Sequence, residues 1–328
     1  MNILILGGAG FVGRKLAEYL AARYPKYHLT IVDNFSRSGR EELVELEKRP
    51  SVEVIVGAIE DPELLPVIFE AREQNIIVNA TFTNNVAFAS DTFAKGTNNI
   101  LSYVVSSDTQ IAKYIHVSSD EVYGERSGEN ESETQPRLES DPLFPVHPVA
   151  AIQASGDLLA TAYFRTFGIP TTVLRTSNTF GPNQEPSRLL PILIQHAVKN
   201  EDIPIFGDGT HTRDWLFVDD LVYAIDSIIQ APSIKTKGEV FNVSGDLELS
   251  VLEVTELILT ILNRPKELVT FTEDKKPHHM RRVLDSGKIL QVLDWRPEAD
   301  VKQALEDTIR WYQNSLNTGD LEQDKTIQ

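Results

Sequence analysis

The 328-residue chain contains no cysteine. Disulfides, thiol nucleophiles and zinc–thiolate sites are therefore excluded, which agrees with a reducing compartment. Positive charge is scarce as well: 31 Lys and Arg face 48 Asp and Glu, for a formal net charge of −17. That excess of carboxylates repels phosphate backbones, so no nucleic-acid partner is expected, and an anionic ligand must meet a local cluster of Arg or Lys. No run of eighteen apolar residues occurs, and Met1–Leu6 leads straight into a glycine loop. Neither a membrane span nor a cleaved signal peptide fits that pattern, and a cytoplasmic protein is expected. With 41% hydrophobic and 24% charged residues, the chain has the makings of a sizeable core.

Apolar, β-rich runs alternate with helical spacing at Ile3–Leu6, Leu29–Val32, Val52–Val56, Ile76–Val78, Tyr114–Val117 and Thr172–Leu174. This βαβ rhythm predicts an α/β fold with a doubly wound parallel sheet of the Rossmann type, covered on both faces. After Arg175 the pattern breaks into shorter units, with helices expected near 188–199, 218–230, 251–262 and 301–314. We read residues 1–175 as a nucleotide-binding domain to which parts of about 205–245 return. Residues 176–204 and 246–317 form a smaller, discontinuous C-terminal substrate-binding domain, and 318–328 a frayed tail. Residues 125–148, rich in Glu, Ser and Pro, read as a long loop of the kind that serves as a functional lid or stays unstructured.

Gly7, Gly10 and Gly13 punctuate the turn between the first strand and a helix starting near Phe11. Glycines at this spacing permit a tight turn, close approach of backbone to a pyrophosphate and close helix–strand packing, while the helix N-terminus offers N–H groups to the phosphates. Asp33 ends the second strand about 20 residues on, where an acid binds a ribose 2′-OH and repels a 2′-phosphate. NAD is thereby favoured over NADP, with Arg37 and Arg40 as the opposing signal nearby. No metal is expected.

These features, together with Val32-Asp33-Asn34 and His116-Val-Ser-Ser-Asp-Glu-Val-Tyr-Gly124, resemble the extended short-chain dehydrogenase/reductase (NAD-dependent epimerase/dehydratase) family, and within it the dTDP-glucose 4,6-dehydratases. The resemblance continues in order through Arg175–Gln184, Phe206–Gly209, Arg213-Asp214-Trp215, Val218-Asp219-Asp220, Phe241–Gly245 and Lys276–Arg282. It implies NAD-binding positions at Gly7, Gly10, Phe11, Val12, Gly13, Asp33, Asn34, Ala58, Ile59, Ala80 and Thr81. It also implies a dTDP- or UDP-linked sugar nucleotide held by Asn178, Arg188, Leu189, Arg213, Asn242 and Arg281. An acidic chain needs guanidinium forks to hold a diphosphate, which supports the arginines independently.

In that family a Thr-Asp-Glu segment precedes a Tyr-x-x-x-Lys. The Tyr takes the proton from the sugar 4-OH as hydride passes to NAD, the Lys lowers the Tyr pKa, the Asp protonates the departing 6-OH and the Glu removes the C5 proton. By resemblance Ser119, Asp120 and Glu121 occupy the first set of positions. Val149 and Gln153 occupy the Tyr and Lys positions, so the redox pair is replaced. Further departures surround the same pocket: Ala58 for an Asp, Ala80-Thr81-Phe82 for Leu-Ala-Ala, and Phe93 for an Asn.

Three readings follow. In the first, Asp120 and Glu121 act on a sugar nucleotide that is already a ketone, by elimination or epimerisation without net hydride transfer. In the second, the chain is a redox dehydratase or epimerase with a substitute base such as His147. In the third, it is a catalytically silent protein that binds NAD or a sugar nucleotide. By resemblance, the helices at Asn98–Ser107 and Ala150–Phe167 pair with their copies in a homodimer, with Ile152, Leu158, Leu159, Ala162 and Tyr163 among the contacts.

Overall fold

The computed structural model describes residues 1–37, 39–124, 135–273 and 281–318. Residues 125–134 of the predicted loop, Lys276–Met280 of the last motif and most of the tail lie outside the described residues.

The larger unit is built on seven parallel strands in the order β3-β2-β1-β4-β5-β6-β10. These are β1 (Asn2–Leu6), β2 (His28–Asp33), β3 (Val52–Val56), β4 (Ile76–Asn79), β5 (Lys113–Ser119), β6 (Thr171–Thr176) and β10 (Glu239–Val243). The six runs expected to be strands all pair in this sheet. Between them lie α1 (Phe11–Arg23), α2 (Val44–Glu47), α3 (Leu64–Ala71), α4 (Val86–Ala89), α5 (Gly96–Ser106) and α6 (Pro148–Phe167). Successive strand residues point to opposite faces. Ile3, Ile5, Leu29 and Ile31 therefore pack on one face with Leu16 and Leu20 of α1, whereas Leu4, Leu6 and Val32 pack on the other with Ile68 of α3 and Ile100 of α5.

The smaller unit contains β7 (Asn178–Phe180), α7 (Leu189–Lys199), β8 (Ile203–Phe206) and β9 (Thr212–Phe217). After α8 (Val218–Gln230), it resumes with β11 (Glu248–Ser250), α9 (Val251–Ile261), β12 (Val269–Thr272) and β13 (Arg281–Arg282). The chain ends in α10 (Gly287–Leu293) and α11 (Val301–Thr318). Its core joins Phe180, Trp215, Ile194, Ile258 and Tyr312. Residues 205–217 belong to this unit's strands, and the return to the large sheet is made by α8 and β10. A second return follows, because Ile289 of α10 and Trp295 pack in the same cluster as α1 and α8.

This topology determines where a site forms. The strand order reverses between β1 and β4, and ligands of open parallel sheets bind in the crevice at the carboxyl ends beside such a switch point. Gly7, Asp33, Ala80 and Asp120 all follow or end strands on that edge.

Candidate active site

At the nucleotide end of the crevice, Gly7 adopts φ +73° and a Cβ there would lie 2.8 Å from Thr81 Cα, so only glycine fits against the strand end. A Cβ on Gly13 would strike the Gly7 carbonyl. No side chain caps α1 at Gly10, which leaves the helix N-terminus, with Phe11 and Val12 in its first turn, facing the loop. Asp33 Oδ2 accepts the Ala9 N–H at 2.9 Å and Oδ1 the Phe35 N–H at 2.8 Å, which fixes the carboxylate beside the glycines. Asn34 turns its Oδ1 to the Ser36 N–H. Ile59 is buried and its carbonyl accepts from Asn99, Ala58 offers only a methyl group, and Thr81 Oγ1 donates to Asn79 Oδ1. A glycine cradle, an uncapped helix and an adjacent acid fit the pyrophosphate and ribose of NAD.

The carboxylates sit where β5 ends. Ser119 caps the single 3-10 turn Asp120–Tyr123: its Oγ accepts the Glu121 N–H at 3.2 Å and donates to Asp120 Oδ1 at 3.1 Å. The turn is braced from behind by buried polar groups. Tyr123 Oη donates to Asn242 Oδ1 at 2.6 Å and accepts from Arg175 Nη1 at 2.9 Å, and Arg175 Nε donates to Asp157 Oδ2 at 2.8 Å. Asn242 also donates to the Arg137 carbonyl, so its enclosed amide is spent on this brace.

The two carboxylates differ in environment. Burial raises the pKa of Asp120, only partly offset by the charge of Arg282, and the neighbouring Glu121 adds to the rise. Burial acts the same way on Glu121, but there a His147 hydrogen bond and the charges of Arg282 and Arg188 outweigh it and hold the group below the usual carboxylate range. Arg282 Nη1 donates to Glu121 Oε1 at 3.2 Å, and His147 Nε2 lies 3.2 Å from Glu121 Oε2. His147 is the N-cap of α6, its Nδ1 accepting the Ala150 N–H. That bond puts the ring proton on Nε2, where it is donated to Glu121, and leaves no lone pair for a second task.

The smaller unit brings arginines over this turn. Arg213, nearly buried on β9, lies within electrostatic reach of Asp120, Glu121 and Arg282; burial and the Arg282 charge lower its pKa to about 10. Arg188 is the N-cap residue before Leu189 and stacks 4.8 Å over the Phe82 ring. Arg37 donates to the Phe82 carbonyl and pairs with Glu185, linking the end of β2 to the smaller unit. Arg281 instead pairs with Glu248 at 2.7 Å, away from the carboxylates. Adjacent strand residues face opposite ways, so it is Arg282 that enters the site, also donating to Asn178 Oδ1 at 3.2 Å. The doubled arginine is visible in the sequence, but the face each one takes is not.

The opposite wall is apolar. Val149 is 7% exposed and packs with Ala89 and Phe93, while Phe93 meets Phe82 edge to face at 5.9 Å. Gln153 is buried, and among the described residues its Oε1 has no hydrogen-bond partner. The departures at 82, 93 and 149 thus touch one another in a chain, and none of the three side chains is ionisable.

A Rossmann crevice with a glycine cradle, carrying a carboxylate pair and overhung by arginines from a second unit, defines a dinucleotide-binding protein of the Rossmann class. The family model of the NAD dependent epimerase/dehydratase family matches residues 3–244, and the chain belongs to that family. It is 33% identical over 321 residues to the low-salt glycan biosynthesis protein Agl12 of Haloferax volcanii, covering 95% of this chain and 98% of that one. It is also 33% identical over 324 residues to a dTDP-glucose 4,6-dehydratase of an Actinoplanes species, covering 95% of this chain and 98% of the relative. Among solved structures, the dTDP-glucose 4,6-dehydratase of Bacillus anthracis in complex with NAD superposes with a TM-score of 0.88 at 33% identity, over 97% of this chain and 98% of that one.

Proposed function

We propose that the chain modifies a sugar nucleotide that already carries a carbonyl, by proton transfer through Asp120 and Glu121, with NAD held in the crevice. The observation that carries this reading is the contrast across the cleft. Val149 is sealed against Phe93 where the resemblance places a Tyr, yet the two carboxylates persist with opposed tendencies to ionise.

A C–H next to a carbonyl is acidic enough for a carboxylate to remove. Glu121, held ionised, takes that proton and leaves an enolate. Asp120, which favours its neutral form, returns a proton to the opposite face of the same carbon for epimerisation, or to a departing hydroxyl so that water leaves and an enone forms. Oxidation of a sugar hydroxyl is the chemistry NAD supplies in this family, and the apolar wall offers no base to start it. Arg213 and Arg188 hold the diphosphate, with Asn178 beside them.

Solvent deuterium incorporation tests the reading. With a 4-keto-6-deoxy sugar nucleotide, deuterium is expected next to the carbonyl, and dTDP-glucose is expected to be inert or very slow. Rapid conversion of dTDP-glucose would overturn the proposal. Tight binding of keto-sugar nucleotides without any exchange would instead make this a silent binding protein, a reading favoured by one observation: both oxygens of Glu121 are already engaged.

We also propose a homodimer through α5 and α6. Tyr163 Oη ties the two helices by donating to Asn98 Oδ1 at 2.9 Å, and their outward side leaves Leu158 61% and Phe167 56% exposed. Light scattering during size-exclusion chromatography should give twice the chain mass at micromolar concentration; a monomer there contradicts it.

A further inference from the structure

Arg282 reaches both carboxylates of the turn. Its guanidinium reaches three groups on two segments: Nη1 donates to Glu121 Oε1 and Nη2 to Asn178 Oδ1, both at 3.2 Å, while Nε stands 3.7 Å from Asp120 Oδ2, beyond hydrogen-bond length. We infer that Arg282 is the positioning residue of the acid–base pair: through Oε1 it holds Glu121 as an oriented carboxylate, and it leaves Oε2, partnered by His147, as the oxygen that receives the proton. This rests on the reading of Asp120 and Glu121 given above.

The guanidinium treats the two carboxylates unequally. Two adjacent carboxylates share a single guanidinium, which gives one of them a charged hydrogen bond and the other only its field. The bonded group keeps its charge, and the other, whose hydrogen bond comes from the uncharged Ser119 hydroxyl, keeps a proton once buried. The planar fork makes this choice rigid, because Asn178 fixes one arm and Glu121 the other, which settles the direction of Nε. The other titratable or charged groups facing Glu121 are His147 from the start of α6, Arg188 from the start of α7, Arg213 from β9 and Asp120 on its own turn. His147 is the one placed to yield: its side chain is 44% exposed against 16% for Arg282, so substrate can displace it without opening a cavity.

The test is a carboxyl-carbon NMR titration of the full-length protein with labelled Asp and Glu, the Glu121 signal being assigned with Glu121→Gln. Arg282→Lys and Arg282→Gln should each raise the Glu121 midpoint by about one pH unit or more. The acid limb of the exchange rate should move upward by the same amount, with the dissociation constant of the sugar nucleotide changed by less than about threefold. The inference is overturned if Glu121 titrates unchanged in folded Arg282→Lys, or if His147→Ala abolishes exchange while the pH profile of Arg282→Lys stays put. If the native protein exchanges no keto sugar at all, the proposed function fails, whereas the titration still reports on Arg282.

Discussion

The two walls of the cleft differ in chemistry. The wall at the end of β5 keeps its carboxylates and gathers Arg188, Arg213 and Arg282 around them. The wall at the start of α6 presents Val149, Phe93 and Phe82, which pack as a small apolar cluster. The two are separable because separate supports carry them. The Asp120–Tyr123 turn is braced from behind by Tyr123, Arg175, Asp157 and Asn242. Asp157 sits two turns along α6 from Val149, so the helix can change its first turn while its second and third still hold the brace. The first turn of α6 can therefore differ without disturbing the support of the carboxylate turn.

The sharpest way to break that comparison is Glu121→Gln. If the polar wall does the chemistry, the substitution should lower deuterium exchange by roughly 10²- to 10⁴-fold, since an amide cannot accept the proton. Binding should persist, and thermal protection by the sugar nucleotide is the control. Exchange within about threefold of the native rate would move the base elsewhere.

A smaller effect separates the two sides of β13 and β9. Arg213→Ala should weaken sugar-nucleotide binding by about 10- to 100-fold, the worth of one charge-assisted hydrogen bond to a diphosphate in a buried site. Arg281→Ala should cost much less, because its guanidinium is paired with Glu248 on the surface. Calorimetry that ranks the two in the reverse order would mean that the diphosphate lies along the outer face of β13.

How far the sequence went depends on what kind of signal each residue leaves. The large sheet was legible because Ile3–Leu6 and its counterparts are short, apolar and bounded by glycine or helix, and burial on both faces demands that pattern. The glycine loop was legible because its backbone conformation demands glycine. Arg282 was not, since a two-residue strand carries no periodicity from which to read its faces. His147 was visible as a loop histidine, but its service as helix cap and Glu121 partner depends on a meeting of distant segments. Asn242 matched a motif, yet its enclosure behind Tyr123 only emerges from packing. The return of Gly287–Trp295 to the large unit was missed for the same reason: Ile289 and Trp295 are ordinary apolar residues whose partners lie on α8 and β10.

The smallest expected effect concerns what the polar wall costs the fold. Asp214, next to Arg213 on β9, accepts the Gly245 N–H at 3.0 Å through Oδ1, while among the described residues Oδ2 is buried with no hydrogen-bond partner. Burial raises its pKa from 3.8 to about 7. The folded state then binds this proton more tightly than the unfolded chain does. Asp214 therefore favours folding fully below about pH 4, loses that contribution as pH rises from there towards 7, and adds no further slope above it. Asn mimics the protonated acid and keeps the acceptor for Gly245. Asp214→Asn should accordingly raise the melting temperature on the order of a few degrees at pH 8, have little effect at pH 4, and flatten the slope between. A variant destabilised equally at both pH values would show that Asp214 is held charged by a partner in the site, and that the polar wall of the cleft is better compensated than its burial implies.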